Sequence, residues 1–281
     1  MNLNLNEITF VIVTYKSESI IQYCLNTLPS DSKKIIVENS NNINLEKELK
    51  LKYDNIEVIP SENVGMGAGN NIGLKSCKTQ YAYILNPDTK LNQNTIKNLI
   101  NGLNGISDFT IASPLNDDPN FPNYKKKNLD QKNSNILSVE RIDGFSMLIN
   151  LEKFSDQNFF DENFFLYLEN DDLCIRVKNR NENIYIIKNS LINHTGGISN
   201  NNDLEYLRNW HWMWSKFYFN KKHYGFLTAF SKIFFNLFSS LIKFIFYLIT
   251  LNPHKRKICQ MRVSGLVNSI IGKKSFFRIK D

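Results

Sequence analysis

The sequence lacks paired cysteines. Its four cysteines, Cys24, Cys77, Cys174 and Cys259, stand far apart and form neither a CxxC nor a Cys/His pair. That argues against a disulfide frame or a zinc site, and for buried thiols in a reducing compartment. A secretory signal is also missing: "MNLNLNE" runs straight into "ITFVIVTY" with no basic leader and no small-residue cleavage site. The chain is therefore expected to start and stay on the cytoplasmic side. No internal repeat is present. Acids are nearly absent from the last quarter, where 14 Lys/Arg after position 205 face one acid, Asp281. Residues 1–205 hold 20 Lys/Arg and 26 acids. An acidic body with a basic, aromatic tail points to an anionic partner, either membrane lipid or nucleic acid.

What is present suits one large α/β domain with an appendage: 281 residues, 42% hydrophobic and 22% charged. The first 115 residues alternate strand and helix. "ITFVIVTY" (8–15) is a short apolar run rich in β-branched residues, as in a strand buried on both faces. "SESIIQYCLNTL" (17–28) has helical spacing, with Ser17 as N-cap. "KIIVEN" (34–39), "NIEVIP" (55–60) and "YAYIL" (81–85) read as further strands, and "GMGAGNNIGLKSC" (65–77) as a glycine-led helix. This rhythm predicts a doubly wound, mostly parallel sheet whose ligands bind outside the carboxyl ends of the strands. Residues 116–134 read as a long mobile loop. "VERIDGFSMLINLEKF" (139–154) reads as a strand pair or a strand–turn leading into a helix, and "NIYIIK" and "LINH" as two short strands.

From Tyr206 the character changes, so a domain is assigned to 1–205 and a helical, membrane-associating extension to 206–281. "FLTAFSKIFFNLFSSLIKFIFYLITL" (226–251) is long enough to cross a bilayer. Lys232, Asn236 and Lys243 fall on one helical face, which favours an amphipathic helix lying in the membrane interface. Nucleic acid is set aside as partner, because this apolar run has no use on a phosphate backbone.

Four constellations carry chemistry. Thr14 and Tyr15 close the first strand while Glu38 and Asn39 close the second; an acid and a ring there can grip a nucleobase. In "ENVGMGAGNNIG" (62–73) no GK[ST] follows the glycines, which excludes a P-loop. A turn remains in which Gly65 lets backbone approach a ligand and Asn63, Asn70 and Asn71 offer amides, or in which the glycines serve helix–sheet packing. In "LNPDTKL" (85–91), Asp88 follows a buried strand, two residues after Asn86. It can hold Mg²⁺ or Mn²⁺ against a diphosphate, or simply belong to a Pro-Asp turn. The fourth constellation is "YLENDDLCIR" (167–176) together with "NHTGG" (193–197), which contains His194.

In this order the motifs resemble the family 2 inverting glycosyltransferases of GT-A fold, and within them the bacterial branch commonly labelled rhamnosyltransferases. The residues that carry the resemblance are Thr14-Tyr15, Glu38-Asn39-Ser40, Asn63 through Gly73, Asn86-Pro87-Asp88, Gly144 through Ile149, Glu169 through Arg176, and His194 through Gly197. The resemblance covers residues 8 to about 200. It implies a nucleotide-sugar donor bound by Thr14, Tyr15, Glu38, Asn63, Gly65, Asn71 and Asn86. It also implies a divalent metal, Mg²⁺ or Mn²⁺, held by Asp88 and His194. The implied acceptor is a lipid-linked saccharide or cell-surface glycan, reached at the inner face of the membrane. A carboxylate in the 169–172 row would take the acceptor's proton. Two departures stand out: Glu38 where the family has Asp, and Asn170, an amide, where it has the base. An i,i+4 pair of Asp172 with Arg176 would make Asp172 structural, leaving Glu169 as base and Asp171 next. An impaired, glycosyltransferase-like binding protein is the alternative that Asn170 keeps open.

Overall fold

The structure, a computed structural model, describes residues 3–106, 108–126, 134–196 and 202–278. It divides into two compact units, Met1–Asp161 with Asn170–Gly197, and Glu162–Glu169 with Ile198–Asp281.

In the first unit every residue of β1 (Ile8–Thr14) is buried, because strands lie on both sides of it and helices on both faces. Chain order continues with α1 (Glu18–Leu25), β2 (Lys33–Glu38), α2 (Ile43–Lys52), β3 (Ile56–Pro60), α3 (Met66–Ser76) and β4 (Tyr81–Leu85). Then come β5 (Thr89–Leu91), α4 (Thr95–Asn104), β6 (Ile111–Asn116), β7 (Tyr124–Lys125), β8 (Ile136–Ser138), β9 (Arg141–Ile142) and β10 (Ser146–Asn150). The unit ends with α5 (Glu169–Asn179) and β11 (Ile184–His194). The main sheet runs β3-β2-β1-β4-β10-β6-β11-β5, with β8 also on β11. The β3-β2-β1-β4 block and the β6–β11 pair are parallel, whereas β10 is antiparallel to both neighbours. Strand alternation sorts the core. Phe10, Ile12 and Tyr83 face Ile21, Leu49 and Leu99 of α1, α2 and α4, while Val11 and Ile84 face Leu74, Leu173 and Val177 of α3 and α5. The chain leaves β1 in opposite directions to β2 and β4, the kind of switch point at which open α/β sheets bind ligands.

Three segments differ from expectation. The run 151–153 after β10 is a single 3₁₀ turn, not a longer helix. "NIYIIK" and "LINH" form one strand, β11, with an irregularity between Ile187 and Leu191. The first part of 116–134 is ordered by amides. Buried Asn123 donates to Pro114 O (2.9 Å) and accepts from Asn116 N (2.9 Å), which brings β7 onto β9. Residues 127–133 lie outside the described residues.

The second unit contains α6 (Asn202–Tyr224), α7 (Phe226–Ile249) and α8 (Pro253–Ile270). Met213, Phe217, Ala229, Ile233 and Leu266 form its core. Gly265 is required there, since any Cβ would collide with Trp210 O. Buried His211 tethers the C-terminal segment. Phe277 O can only accept, so His211 Nε2 donates to it (2.8 Å) and Nδ1 accepts from Ser275 Oγ (2.9 Å). Burial pushes the His211 pKa down to about 4. Helix α7 packs through Ala229, Ile233 and Ser240 and leaves its opposite face open, with Phe234, Phe235, Phe238 and Ile245 exposed. By length and composition it could cross a membrane.

Candidate active site

The strand ends of the first unit carry the candidate residues. Thr14 pairs with Glu38 across β1 and β2, and both are fully buried. The Glu38 carboxylate turns back on its own loop, with Oε1 accepting from Ser40 N (3.1 Å) and Ser40 Oγ, and Oε2 from Asn42 N. The carboxylate therefore holds the β2–α2 loop. Tyr15, half-buried just past β1, is the ring left beside that strand end, with Lys16 Nζ 5.5 Å from its centroid.

Asn39 joins this end to the glycine turn: its N–H donates to Thr14 O (2.8 Å) and its Nδ2 to Gly65 O (3.1 Å). Gly65 caps α3 with φ +95°, a conformation that side chains disfavour, and half-buried Asn63 precedes it in the β3–α3 loop. Gly69 and Gly73 serve packing, for added Cβ atoms would strike Val13 and Val11 of β1. Asn71 is engaged elsewhere, clasping Phe160 by donating to its carbonyl (2.9 Å) and accepting from its N–H (2.9 Å).

After β4 the chain makes the Pro-Asp turn, closed by Thr89 N and Oγ1 donating to Asn86 O (3.2 and 2.7 Å). The turn and a ligand role coexist, because the turn sets Asp88 opposite the end of β11. Thr89 pairs with His194, and Thr195 donates from N and Oγ1 to Asp88 O (3.3 and 3.0 Å). Asp88 Oδ1 then lies 3.4 Å from His194 Nε2. Phe145 stacks flat on His194, centroids 4.2 Å apart at 8°, and its carbonyl accepts from Asn86 N (2.9 Å). Gly197 of the same motif lies outside the described residues.

Asn86 Oδ1, Asn39 Oδ1 and Asn70 Oδ1 are buried and accept no hydrogen bond, and Asp88 Oδ1, also buried, has only the His194 imidazole at 3.4 Å, outside hydrogen-bond geometry. A buried acceptor without a donor costs about 1–3 kcal/mol, so these oxygens suit a bound group. Among the described residues no cluster of three His, Cys, Asp or Glu could hold a metal. A divalent ion held by Asp88 and His194 would therefore have to take its remaining ligands from phosphate oxygens and water.

The acidic row enters α5 through two residues in left-handed backbone, Tyr167 (φ +73°) and Leu168 (φ +68°). Such conformations cost about 1–3 kcal/mol each and cluster at functional sites. Glu169 is the first residue of the helix. The i,i+4 pair forms as expected: buried Asp172 accepts from Arg176 Nε (2.9 Å), and Arg176 also donates to Asn158 O (2.8 Å). Asp171 is buried with Arg141 3.6 Å away. Asn170 Nδ2 donates to Ile142 O (2.9 Å), and its Cβ lies 3.3 Å from where a Cβ on Gly144 would sit. The amide at the usual base position therefore supports the turn that carries Asp143.

Asp143 is the residue that sequence reasoning missed. It keeps solvent contact, follows β9 and stands two residues before the ring stacked on His194. Partial burial raises its carboxyl pKa, Asp171 raises it further, and Lys125 and His194 oppose. Its only sequence signal was an acid at a glycine turn, "IDGF".

Residues 9–173, more than half of the chain, match the family described as Glycosyl transferase family 2. The chain belongs to that family. This family 2 member is similar to the low-salt glycan biosynthesis hexosyltransferase Agl10 of Haloferax volcanii, 26% identical over 200 residues. The alignment covers 64% of this chain and 64% of that protein, so the chain spans under two thirds of its curated relative. Among solved structures it resembles the mannosyltransferase PcManGT of Pyrobaculum calidifontis, solved with GDP-Man and Mn²⁺, at TM-score 0.59 and 10% identity over 95% of this chain and 88% of that one. GalNAc-T7, solved with UDP, GalNAc and Mn²⁺, gives TM-score 0.59 and 14% identity over 68% and 44%. At these identities the structures share the fold alone, which is GT-A, with helices α6–α8 following it.

Proposed function

We propose that this chain is an inverting glycosyltransferase that moves a hexosyl residue, rhamnose or similar, from a nucleoside diphosphate sugar to a hydroxyl of a lipid-linked saccharide or surface glycan. The observation that carries the reading is the Asp88–His194 pair, 3.4 Å apart, with the imidazole stacked on Phe145 and with Asn86 Oδ1 of the same turn buried and without a hydrogen-bond donor. The hexosyltransferase relative and the two Mn²⁺-bound structures of the same fold support it.

A divalent ion at Asp88 and His194 would supply charge neutralisation to the leaving diphosphate. The protein's own groups do the rest. Tyr15 offers a ring to the nucleobase, and Gly65 lets the α3 turn approach the donor closely. Phe145 and Thr195 keep His194 and Asp88 in register. An acidic side chain takes the acceptor's proton as its oxygen attacks the anomeric carbon and the bond to the diphosphate breaks. We assign that proton to Asp143, which is open to solvent and supported by Asn170, ahead of Glu169 and Asp171. Asp171 already faces Arg141.

We infer that the chain works at the cytoplasmic face of the membrane, a reading supported by the basic, aromatic α6–α8 unit and by the open face of α7. Nucleoside diphosphate release from a panel of GDP-, UDP- and dTDP-sugars, with Mn²⁺ and membrane lipid extract, tests the reading. Metal-dependent release is expected. Donor binding without release would instead favour a non-catalytic binder, the reading that the amide at Asn170 supports.

A further inference from the structure

Helix α7 is covered on one side only. Ala229 and Ile233 share an apolar cluster with Met213 and Phe217 of α6 and Leu266 of α8, and Ser240 is buried. Asn236 lies toward the same side, its Oδ1 accepting from Lys216 Nζ of α6 (2.9 Å). Half a turn round, Leu227, Phe234, Phe238, Ile242, Ile245 and Ile249 are all exposed, one stripe that runs the length of the helix.

The length and composition of α7 permit a bilayer crossing, but its packing does not suit one. A helix that crossed would carry along whatever is packed on it. Lys216 meets α7 near its midpoint, at Asn236. Helix α8 turns back along α7: Lys255 Nζ lies 5.6 Å from the Tyr247 ring at one end, and Leu266 joins Ala229 and Ile233 at the other. Between those points α8 carries Lys257 and Arg262. A crossing would draw these cations and Lys216 into hydrocarbon, where charge is costly.

A helix lying flat meets no such cost. Exposed Lys232 and Lys243 stand three turns apart on one flank of the stripe, and Lys232 Nζ sits 4.1 Å from the Tyr224 ring centre. The cations thus recur along the helix instead of marking its two ends. The described acids of the unit, Glu162, Glu169, Asp203 and Glu205, all lie outside α7 and α8. Apolar residues on one face with lysines beside them are the pattern of a helix held in the interface of an anionic membrane.

We propose that α7 lies in the plane of a single anionic leaflet, its stripe from Leu227 to Ile249 among the acyl chains and Lys232 and Lys243 at headgroup level. The inference rests on the membrane placement given above, adds the lipid class and the mode of attachment, and does not require sugar transfer.

Depth along the stripe tests it. L227C, F238C and I249C mark exposed positions about 16 Å apart in sequence. Each carries a spin label in the full chain, bound to vesicles of equimolar phosphatidylcholine and phosphatidylglycerol, with labelled wild type giving the background of the native cysteines. The same depth below the headgroups is expected at all three positions. A label deep at F238C and shallow at L227C and I249C would make α7 a span and overturn the inference, leaving the membrane placement intact. Failure of wild type to co-sediment with the vesicles would overturn both, while nucleotide release tests sugar transfer separately. Charge provides a second arm. K232Q/K243Q is expected to weaken co-sedimentation on the order of 10-fold, and K33Q/K47Q, at exposed lysines of the first unit, to weaken it less. Equal losses would overturn the headgroup assignment in favour of diffuse attraction. A shift of F234Q/F238Q from dimer to monomer, with vesicle binding unchanged, would give the face to a second copy and overturn the proposal.

Discussion

The two units treat polar groups in opposite ways. The α/β unit answers its buried polar side chains internally: Glu38 holds its own loop, Asn71 clasps Phe160, and Asp172 pairs with Arg176. Its exceptions include oxygens on the segments that follow β2 and β4, Asn39 Oδ1, Asn86 Oδ1 and Asp88 Oδ1. The helical unit leaves a phenylalanine-rich face in the open, with exposed Lys232 and Lys243 at its edge. What each unit leaves uncovered differs, and so does the ligand it suits. The first pattern suits a metal–diphosphate at one point, and the second an anionic surface.

Substitutions break the comparison in order of size. Asp88→Ala removes the carboxylate that faces His194 and is expected to lower donor turnover in Mn²⁺ on the order of 10³-fold; turnover within a few-fold of wild type would remove Asp88 from the site. Asp143→Asn is expected to cut turnover at least about 10²-fold with nucleotide affinity unchanged. A larger loss in Glu169→Gln or Asp171→Asn would move the base into the acidic row.

Much of this was legible in the sequence, for reasons of locality. The strands β1 to β4 are continuous apolar runs, and the metal-ligand candidates sit at their ends or in a short His-Thr-Gly motif. The Asp172–Arg176 pair followed from helix spacing alone. What was not legible depends on distant pairing. Asp143 is presented because β7 pairs with β9 and because Asn170, 28 residues after Ile142, bonds to it. The same holds for Asn71, whose amide is drawn to Phe160, 89 residues away. That Glu38 folds back on its own loop was equally out of reach, because strand-end position says nothing of where a longer side chain turns. In α7, the lysine–asparagine stripe was read correctly as one face, yet Asn236 points toward α6, and only packing could show that.

Acid sharpens the contrast from the helical side. His211 is neutral in the folded unit, with a pKa near 4, and titrates near 6.5 once unfolded. The unfolded state therefore binds more protons between those values. Its contribution is intact above about pH 6.5 and is lost as pH falls toward 4, by roughly 3 kcal/mol. Urea midpoints read by tryptophan fluorescence should fall over that window, since Trp210, Trp212 and Trp214 all lie in α6. A flat profile, or His211→Gln with the same slope, would assign the acid sensitivity elsewhere. The smallest effect belongs to the α/β unit. Gly73→Ala, pressed on Val11, should cost about 1–3 kcal/mol in urea unfolding, while an unchanged midpoint would show that α3 shifts freely on the sheet.

The central claim is that Asp88 and His194 hold a divalent ion against a donor diphosphate. Mn²⁺ titration in the presence of GDP and of UDP, followed calorimetrically on wild type, Asp88→Ala and His194→Ala, tests it most directly. The account expects nucleotide binding that tightens with Mn²⁺ in wild type and loses that dependence in both variants. Nucleotide binding indifferent to Mn²⁺, or a metal response that survives both substitutions, would contradict it.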